Sequence, residues 1–406
     1  MKITIVNESA DLRGQTRRAW LATCGVALTA GCSASEILDG GREPAAATAC
    51  DESGGWRQHQ GGPENGGRTE FGAPSFEAGP ETLLDGLDGL ADGPGVSADG
   101  QQRVFTGDGK ELLAYNAEDG TELWRRSFRS TIIGTPLLVC DAVIVQATTR
   151  TVALGIEDGE TIWEQRPNNA MGPPTADDDT VFVSSGLVTA VASASGERRW
   201  DHDFEEEEVD LRSCCLAGET LVAAGKDGDS GILVGLDPTN GDLAWRTPVD
   251  TPVKASPTYR EGTVYVPDEG NQVHAVDAAS GAVEWQSEPY ESYPGDRLGS
   301  APVLVESTVV VPSGNGGETV GVDAATGERQ WSIDTGPVLA PPLATDDGVL
   351  VGTMNEGIFL LSPDGEVRAR ATDTRVGAPM AVTDAGLFYK TAGPGARTKI
   401  NFYSFR

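Results

Sequence analysis

Several things are scarce in this 406-residue chain. Histidine occurs three times, as His59, His202 and His274, far apart and without ligand spacing, which argues against a zinc centre and against histidine-based acid–base chemistry. Positive charge is short: 30 Lys+Arg stand against 62 Asp+Glu, for a formal charge of −32. Such a field repels nucleic acid and anionic lipid head groups. Aromatics make up only 6% of residues. No hydrophobic run reaches the roughly 20 residues that a membrane-spanning helix needs. Phosphate loops are lacking too. Gly314-Asn315-Gly316-Gly317 and Gly393-Pro394-Gly395 are hairpin glycines, and neither is followed by Lys-Ser/Thr.

What is abundant is glycine, at 52, with 24 prolines. That punctuation suits many short strands joined by tight turns. The acidic residues are spread over nearly every turn, with runs at Asp177–Asp179 and Glu205–Glu208. The distribution describes a solvated surface adapted to high salt, where screening weakens self-repulsion, and it predicts a halophilic archaeal source.

The N-terminus reads as an export signal over 1–31. Arg17 and Arg18 precede an apolar stretch of about thirteen residues, too short to span a bilayer. Paired arginines before such a segment indicate the twin-arginine route. Leu28-Thr29-Ala30-Gly31-Cys32 resembles a lipobox, with Thr29 in place of the usual Leu, so Cys32 is the expected lipidation site. Residues 32–55 are small and polar and read as a flexible tether. The expected location is the extracytoplasmic face of the cell membrane, reached through the lipid anchor only.

From 56 to 406 one pattern repeats. An aliphatic run leads into an acidic turn ending in Gly, and Trp follows four residues later. The pairs are Gly120 and Trp124, Gly159 and Trp163, Gly196 and Trp200, Gly241 and Trp245, Gly281 and Trp285, and Gly327 and Trp331. A seventh turn ends at Gly365 but has Ala369 where Trp is expected. A period of roughly 40 residues with several short strands per unit is the mark of a β-propeller. Gly-x-Pro or Ala-x-Pro opens the inner strand in most units, as in Gly134-Thr135-Pro136 and Ala255-Ser256-Pro257, while one unit carries Cys214-Cys215 there instead. The turn Asp accepts backbone N–H bonds, and its Gly takes a positive φ. Each Trp belongs on an outermost strand, packed between neighbouring blades.

The count predicts an all-β, eight-bladed propeller of four-stranded antiparallel blades. The last unit, from Gly377, supplies three strands, and the segment from Trp56 onward is placed to supply the fourth, so that both chain ends share one sheet. Seven blades is the alternative, because the first unit, about 93–124, is irregular.

The repeat, clearest in Val273-His274-Ala275-Val276-Asp277-Ala278-Ala279-Ser280-Gly281-Ala282-Val283-Glu284-Trp285, resembles the pyrroloquinoline-quinone-type propeller repeat. The opening Trp56-Arg57-Gln58-His59-Gln60-Gly61-Gly62-Pro63 is similar to the start of many such domains. Quinoprotein dehydrogenases carry this repeat, as does the propeller lipoprotein of the bacterial outer-membrane assembly machinery. In length and anchoring the chain looks most like the non-enzymatic lipoproteins. The resemblance therefore implies a monomeric, cofactor-free scaffold for an unidentified protein partner.

The alternative implied by the resemblance is a dehydrogenase of alcohols or sugars using pyrroloquinoline quinone with calcium. In those enzymes an adjacent cysteine pair forms a disulfide ring against the quinone, and Cys214-Cys215 is the pair in point. Leu216 follows here where the family has Asp, and the family's calcium-binding Glu and Asn and its catalytic Asp find no matching positions. Two cysteines at the start of one inner strand, one of them buried as a small hydrophobe, is the competing reading. Asp227-Gly228-Asp229-Ser230-Gly231 faintly resembles a calcium loop without its distal Glu and reads as a hairpin turn. The pairing of Cys50 and Cys140 is not fixed by their spacing.

Overall fold

The computed structural model describes residues 57–77, 79–87, 95–99, 103–166, 172–204, 208–253, 255–290, 300–314, 317–372, 374–391 and 398–404. They belong to one compact unit spanning 44–406. The export signal with Arg17 and Arg18, Cys32, Cys50 and Trp56 lie outside the described residues.

The described chain is built of strands, grouped into eight four-stranded antiparallel sheets. Seven sheets are continuous in sequence: blade 1 (96–127), blade 2 (137–165), blade 3 (175–202), blade 4 (209–249), blade 5 (258–286), blade 6 (303–334) and blade 7 (343–371). The eighth combines three C-terminal strands, within 381–404, with Glu81–Leu87, which pairs antiparallel to Thr398–Ser404 as the outer strand. Inner strands of blades 1 and 8 lie side by side, so the ring closes. The architecture is the eight-bladed propeller, and seven blades is set aside because residues 96–127 form a complete four-stranded sheet.

Burial explains the strand sequences. The second strand of a blade is sandwiched between its two neighbours, so both of its faces are apolar. Ala142–Ala147, Thr180–Ser184, Thr308–Pro312 and Gly348–Gly352 are buried at every position. They read as continuous hydrophobic runs rather than alternating ones. Outer strands face solvent. In Glu122–Ser127, Thr161–Gln165 and Arg198–His202 the tryptophan is the one buried residue. Apolar clusters fill the gaps between adjacent blades, such as the one joining Phe105, Leu112 and Trp124 of blade 1 to Val143, Val145 and Leu154 of blade 2.

Inner strands begin just after the prolines at Leu137, Thr175, Thr258, Val303 and Leu343. Blade 4 differs. It has no such proline, every residue keeps its N–H, and its inner strand Val209–Ala217 starts earlier and pairs with a similarly long neighbour, Thr220–Asp227. Cys214 and Cys215 therefore lie toward the end of a long strand, not at its start.

Candidate functional site

The six repeat tryptophans form a latch between blades. Each indole Nε1 donates to a backbone carbonyl in the acidic turn of the following blade. Trp124 reaches Ile156 at 3.0 Å, Trp163 reaches Ser193 at 2.7 Å, and Trp200 reaches Pro238 at 3.0 Å. Trp245 reaches Ala278 at 3.0 Å, Trp285 reaches Ala324 at 2.9 Å, and Trp331 reaches Pro363 at 2.7 Å. The ring face lies on the glycine that ends the same turn. A Cβ at Gly159, Gly196, Gly241, Gly281 or Gly365 would stand 2.5–2.7 Å from indole carbons, and one at Gly327 would stand closer still. These glycines have φ between +66° and +81°, so both the turn and the indole require the absence of a side chain. At Asp237 the hydroxyl and amide of Thr239 bond the carboxylate and hold it below the usual range, and Ser280 does the same at Asp277.

Room for each indole is made inside its own blade. Across the third and outer strands Trp124, Trp163, Trp200 and Trp285 face Ala114, Ala153, Ala190 and Ala275, while Trp245 and Trp331 face Gly235 and Gly321. Blade 7 inverts the pair: Ala369 faces Leu360. The reason is topological. Blade 8 takes its outer strand from the other end of the chain, so it has no acidic turn for an indole to rest on. Phe71, Phe76 and Phe402 pack with Ala369 in the cluster there, and Phe76 meets Tyr403 edge to face at 5.2 Å. On the other side of blade 8, Gly120 of blade 1 abuts the backbone of Leu83 in the closing strand.

The main departure from the sequence reading concerns the segment from Trp56. Only Glu81–Leu87 acts as the closing strand. Residues 57–73 instead run across the inner strands at one mouth of the axis. Five backbone N–H groups at register-equivalent positions of five inner strands donate to this strap. Leu138 of blade 2 bonds Arg57 O at 2.7 Å, Ala176 of blade 3 bonds Gln58 Oε1 at 3.1 Å, and Leu216 of blade 4 bonds Pro63 O at 2.8 Å. Tyr259 of blade 5 bonds Glu64 O at 2.9 Å, and Ala344 of blade 7 bonds Gly67 O at 2.7 Å. Blade 6 is reached through Gln60 Nε2, which donates to Pro302 O at 3.1 Å.

Asn65 Nδ2 donates to both Cys214 O at 3.1 Å and Pro257 O at 3.0 Å, tying blade 4 to blade 5. Gln58, Gln60 and Asn65 are all buried. His59 lies in the same strap with its Nδ1 sealed from solvent and without a hydrogen-bond partner, and burial lowers its pKa to about 4. The signal was present in sequence as three side-chain amides among Gly61, Gly62, Pro63, Gly66 and Gly67, a composition that suits a turn-rich segment better than a strand.

Cys214 and Cys215 are free and buried. Successive strand residues point to opposite faces. Accordingly Cys214 packs in the cluster between blades 3 and 4, with Phe182 and Leu211, and Cys215 in the cluster between blades 4 and 5, with Val264 and Val266. Burial pushes the Cys214 thiol up to about 11 and the Cys215 thiol well above the usual range. With the Asn65 amide on the Cys214 carbonyl, the pair presents no two-sulfur face, and these residues do not fit a quinone.

The other candidates resolve into structural contacts. His202 Nδ1 lies 2.9 Å from Gly241 O, and its ring meets Phe204 edge to face at 4.6 Å. His274 Nε2 lies 2.9 Å from Asp268 Oδ2, and both side chains are sealed in blade 5. Asp227 pairs with Ser230 in a hairpin of blade 4, and its Oδ2 accepts from Arg246 at 2.6 Å. Among the described residues no group of three or more His, Cys, Asp or Glu is placed to hold a metal ion. Cys140, at positive φ in the turn before Ala142, is disulfide-bonded.

Eight radial sheets, six of them carrying a tryptophan latch, define a propeller of pyrroloquinoline-quinone-type repeats. The match to known families narrows this. Residues 48–183, 141–252 and 184–346 match the PQQ_2 family model, described as outer membrane protein assembly factor BamB, and the chain belongs to that family. BamB of Burkholderia pseudomallei is 27% identical over 236 residues, covering 54% of this chain and 59% of that protein. BamB of Bordetella pertussis is 27% identical over 289 residues, covering 66% of this chain and 72% of that protein. Among solved structures, BamB from Moraxella catarrhalis superposes with a TM-score of 0.58 at 16% identity, covering 74% of this chain and 91% of that one. Quinohemoprotein alcohol dehydrogenase from Comamonas testosteroni gives 0.66 at 13% identity, covering 86% and 80%. At these identities the structural likenesses show the fold alone.

Proposed function

We propose that this chain is an exported, lipid-anchored propeller that binds a protein partner outside the cytoplasm and carries no catalytic centre. The observation that carries the reading is the pair of buried, divergent thiols under the strap, at the strand where a quinone enzyme would need a paired-sulfur ring. What remains for function is the loop surface of a rigid ring, where propellers and other scaffolds commonly present binding residues. The relatives named as assembly factors for outer membrane proteins support a protein partner. A disulfide at Cys140 supports an oxidising compartment. The anchor is Cys32, export uses Arg17 and Arg18, and the charge of −32 suits a salt-rich medium and excludes nucleic acid as the partner.

The test has two arms. A photo-crosslinking residue is placed at the exposed hairpin tips of Lys110, Asp229 or Glu269, and the same is done on the opposite face at Glu118 or Asp158. In cells, one face is expected to yield a discrete crosslinked protein. The second arm supplies pyrroloquinoline quinone and calcium to the purified chain. Substrate-dependent dye reduction there would refute the non-catalytic reading, and a protein that crosslinks from neither face would refute the scaffold.

A further inference from the structure

The inner strand of every propeller blade leaves one edge of N–H and C=O groups facing the axis, and such an edge is a template for another chain segment. In this molecule that edge is read, blade after blade, by residues 57–69. The contacts are almost wholly polar. Backbone carbonyls of Arg57, Pro63, Glu64 and Gly67 accept from inner-strand amides, and the amide side chains of Gln58, Gln60 and Asn65 donate to inner-strand carbonyls. Thr69 N returns a bond to Ala344 O at 2.9 Å, giving the strap a short parallel pairing with blade 7. The strap also folds on itself, with Gly67 N on Gln60 O at 2.9 Å, so it enters the mouth as a compact loop.

None of residues 57–70 belongs to any of the apolar clusters between the blades; the strap joins one only from Phe71 onward. The ring's hydrophobic cores therefore hold no side chain of residues 57–70. A segment that adds hydrogen bonds but no core, onto edges that the ring presents by itself, stands to the ring as a ligand to its site.

We infer that this axial mouth is a peptide-binding site whose resident ligand is the chain's own residues 57–69. The chemistry it selects is an extended, glycine-rich segment with side-chain amides able to bridge two carbonyls at once, as Asn65 does between blades 4 and 5. An outside segment of that kind reaches the inner-strand edges only by displacing the strap. The inference stands whether or not the outer faces of the ring bind a partner.

The test uses the full chain, cut in place. A specific-protease sequence is inserted after the exposed Glu70, so that Phe71, Ala73 and Phe76 stay with the ring and its apolar cluster, as does the closing strand Glu81–Leu87. After cleavage at high salt, with reductant added to open the disulfide at Cys140, the N-terminal fragment is expected to co-elute with the ring and to exchange for a labelled synthetic peptide of residues 57–70, saturably and one to one. Labelled peptides carrying Asn65→Ala or Gln58→Ala should bind about tenfold or more weakly, the effect of a buried polar group left without its partner. Uncut protein should take up no peptide. A fragment that leaves a folded ring which then ignores the peptide would overturn the inference. So would a fragment that never exchanges, uptake that the two substitutions leave unchanged, uptake by the uncut chain, or a ring whose tryptophan emission reports unfolding on cleavage.

Discussion

The latch at Trp245 and Gly281 allows the packing argument to be tested by its non-additivity. Trp245 is 9% exposed, its Nε1 bonds Ala278 O, and its ring covers Gly281, which sits at φ +73°. Trp245→Ala removes a large buried side chain and should cost about 3–5 kcal/mol. Trp245→Phe keeps most of the ring but leaves the Ala278 carbonyl without its donor, at about 1–3 kcal/mol. Gly281→Ala adds two separate costs. The left-handed backbone costs about 1–2 kcal/mol for a residue with a Cβ. The methyl also stands 2.5 Å from two indole carbons and 2.9 Å from Thr247 Oγ1, an overpacking worth about 1–3 kcal/mol.

In the double variant the missing indole makes room for the methyl, so most of the overpacking disappears and the left-handed strain stays. The two changes should therefore couple by about 1–3 kcal/mol. The assay is urea unfolding followed by circular dichroism at constant high salt, on the wild type, both single variants and the double variant. Costs that add to within about 0.5 kcal/mol would mean that the indole does not rest on that turn, and the latch reading would fail.

Other consequences can be measured alongside. Lys390 is buried, its Nζ donates to Gly107 O at 2.5 Å across the seam between blades 8 and 1, and burial lowers its pKa to about 8 from 10.5. The native state therefore holds this proton less tightly than the unfolded chain, and stability rises with pH between about 8 and 10.5. The stability difference between wild type and Lys390→Met should move in the wild type's favour by about 3 kcal/mol across that window, and a flat difference would contradict the burial. Cys214 and Cys215 should resist thiol reagents in the folded protein and react fully only on denaturation, because burial raises both thiols and removes access; fast labelling of the native ring would place one of them at the surface. The net charge of −32 should make the ring salt-dependent, so that dialysis into low salt lowers its melting temperature, and equal stability with and without salt would argue against adaptation to a salt-rich medium.

Legibility in the sequence followed the range of the interactions. The latch turns were readable because Asp, Gly and Trp act within a few residues of one another and repeat. The small residues opposite each indole, Ala114 or Gly235, were equally local, yet they gain meaning only once the strands are paired. The swap at Ala369 and Leu360 looked like a degenerate repeat, and its cause is that the following blade is assembled from both ends of the chain. Cys214-Cys215 carried a family signal in sequence that strand geometry dissolves, since neighbours in a strand point to opposite faces.

What the sequence alone determined is the all-β ring: a period near 40 residues, turns that demand glycine at positive φ, and second strands apolar on both faces leave few other ways to bury the chain. What only the tertiary structure decided is the fate of residues 57–80 and the environment of the two thiols. Gln58, Gln60 and Asn65 bond to strands more than a hundred residues away, and no local preference encodes a partner at that distance. Those bonds exist because the inner strands of six blades, once gathered around one axis, offer their free edges to the same short segment.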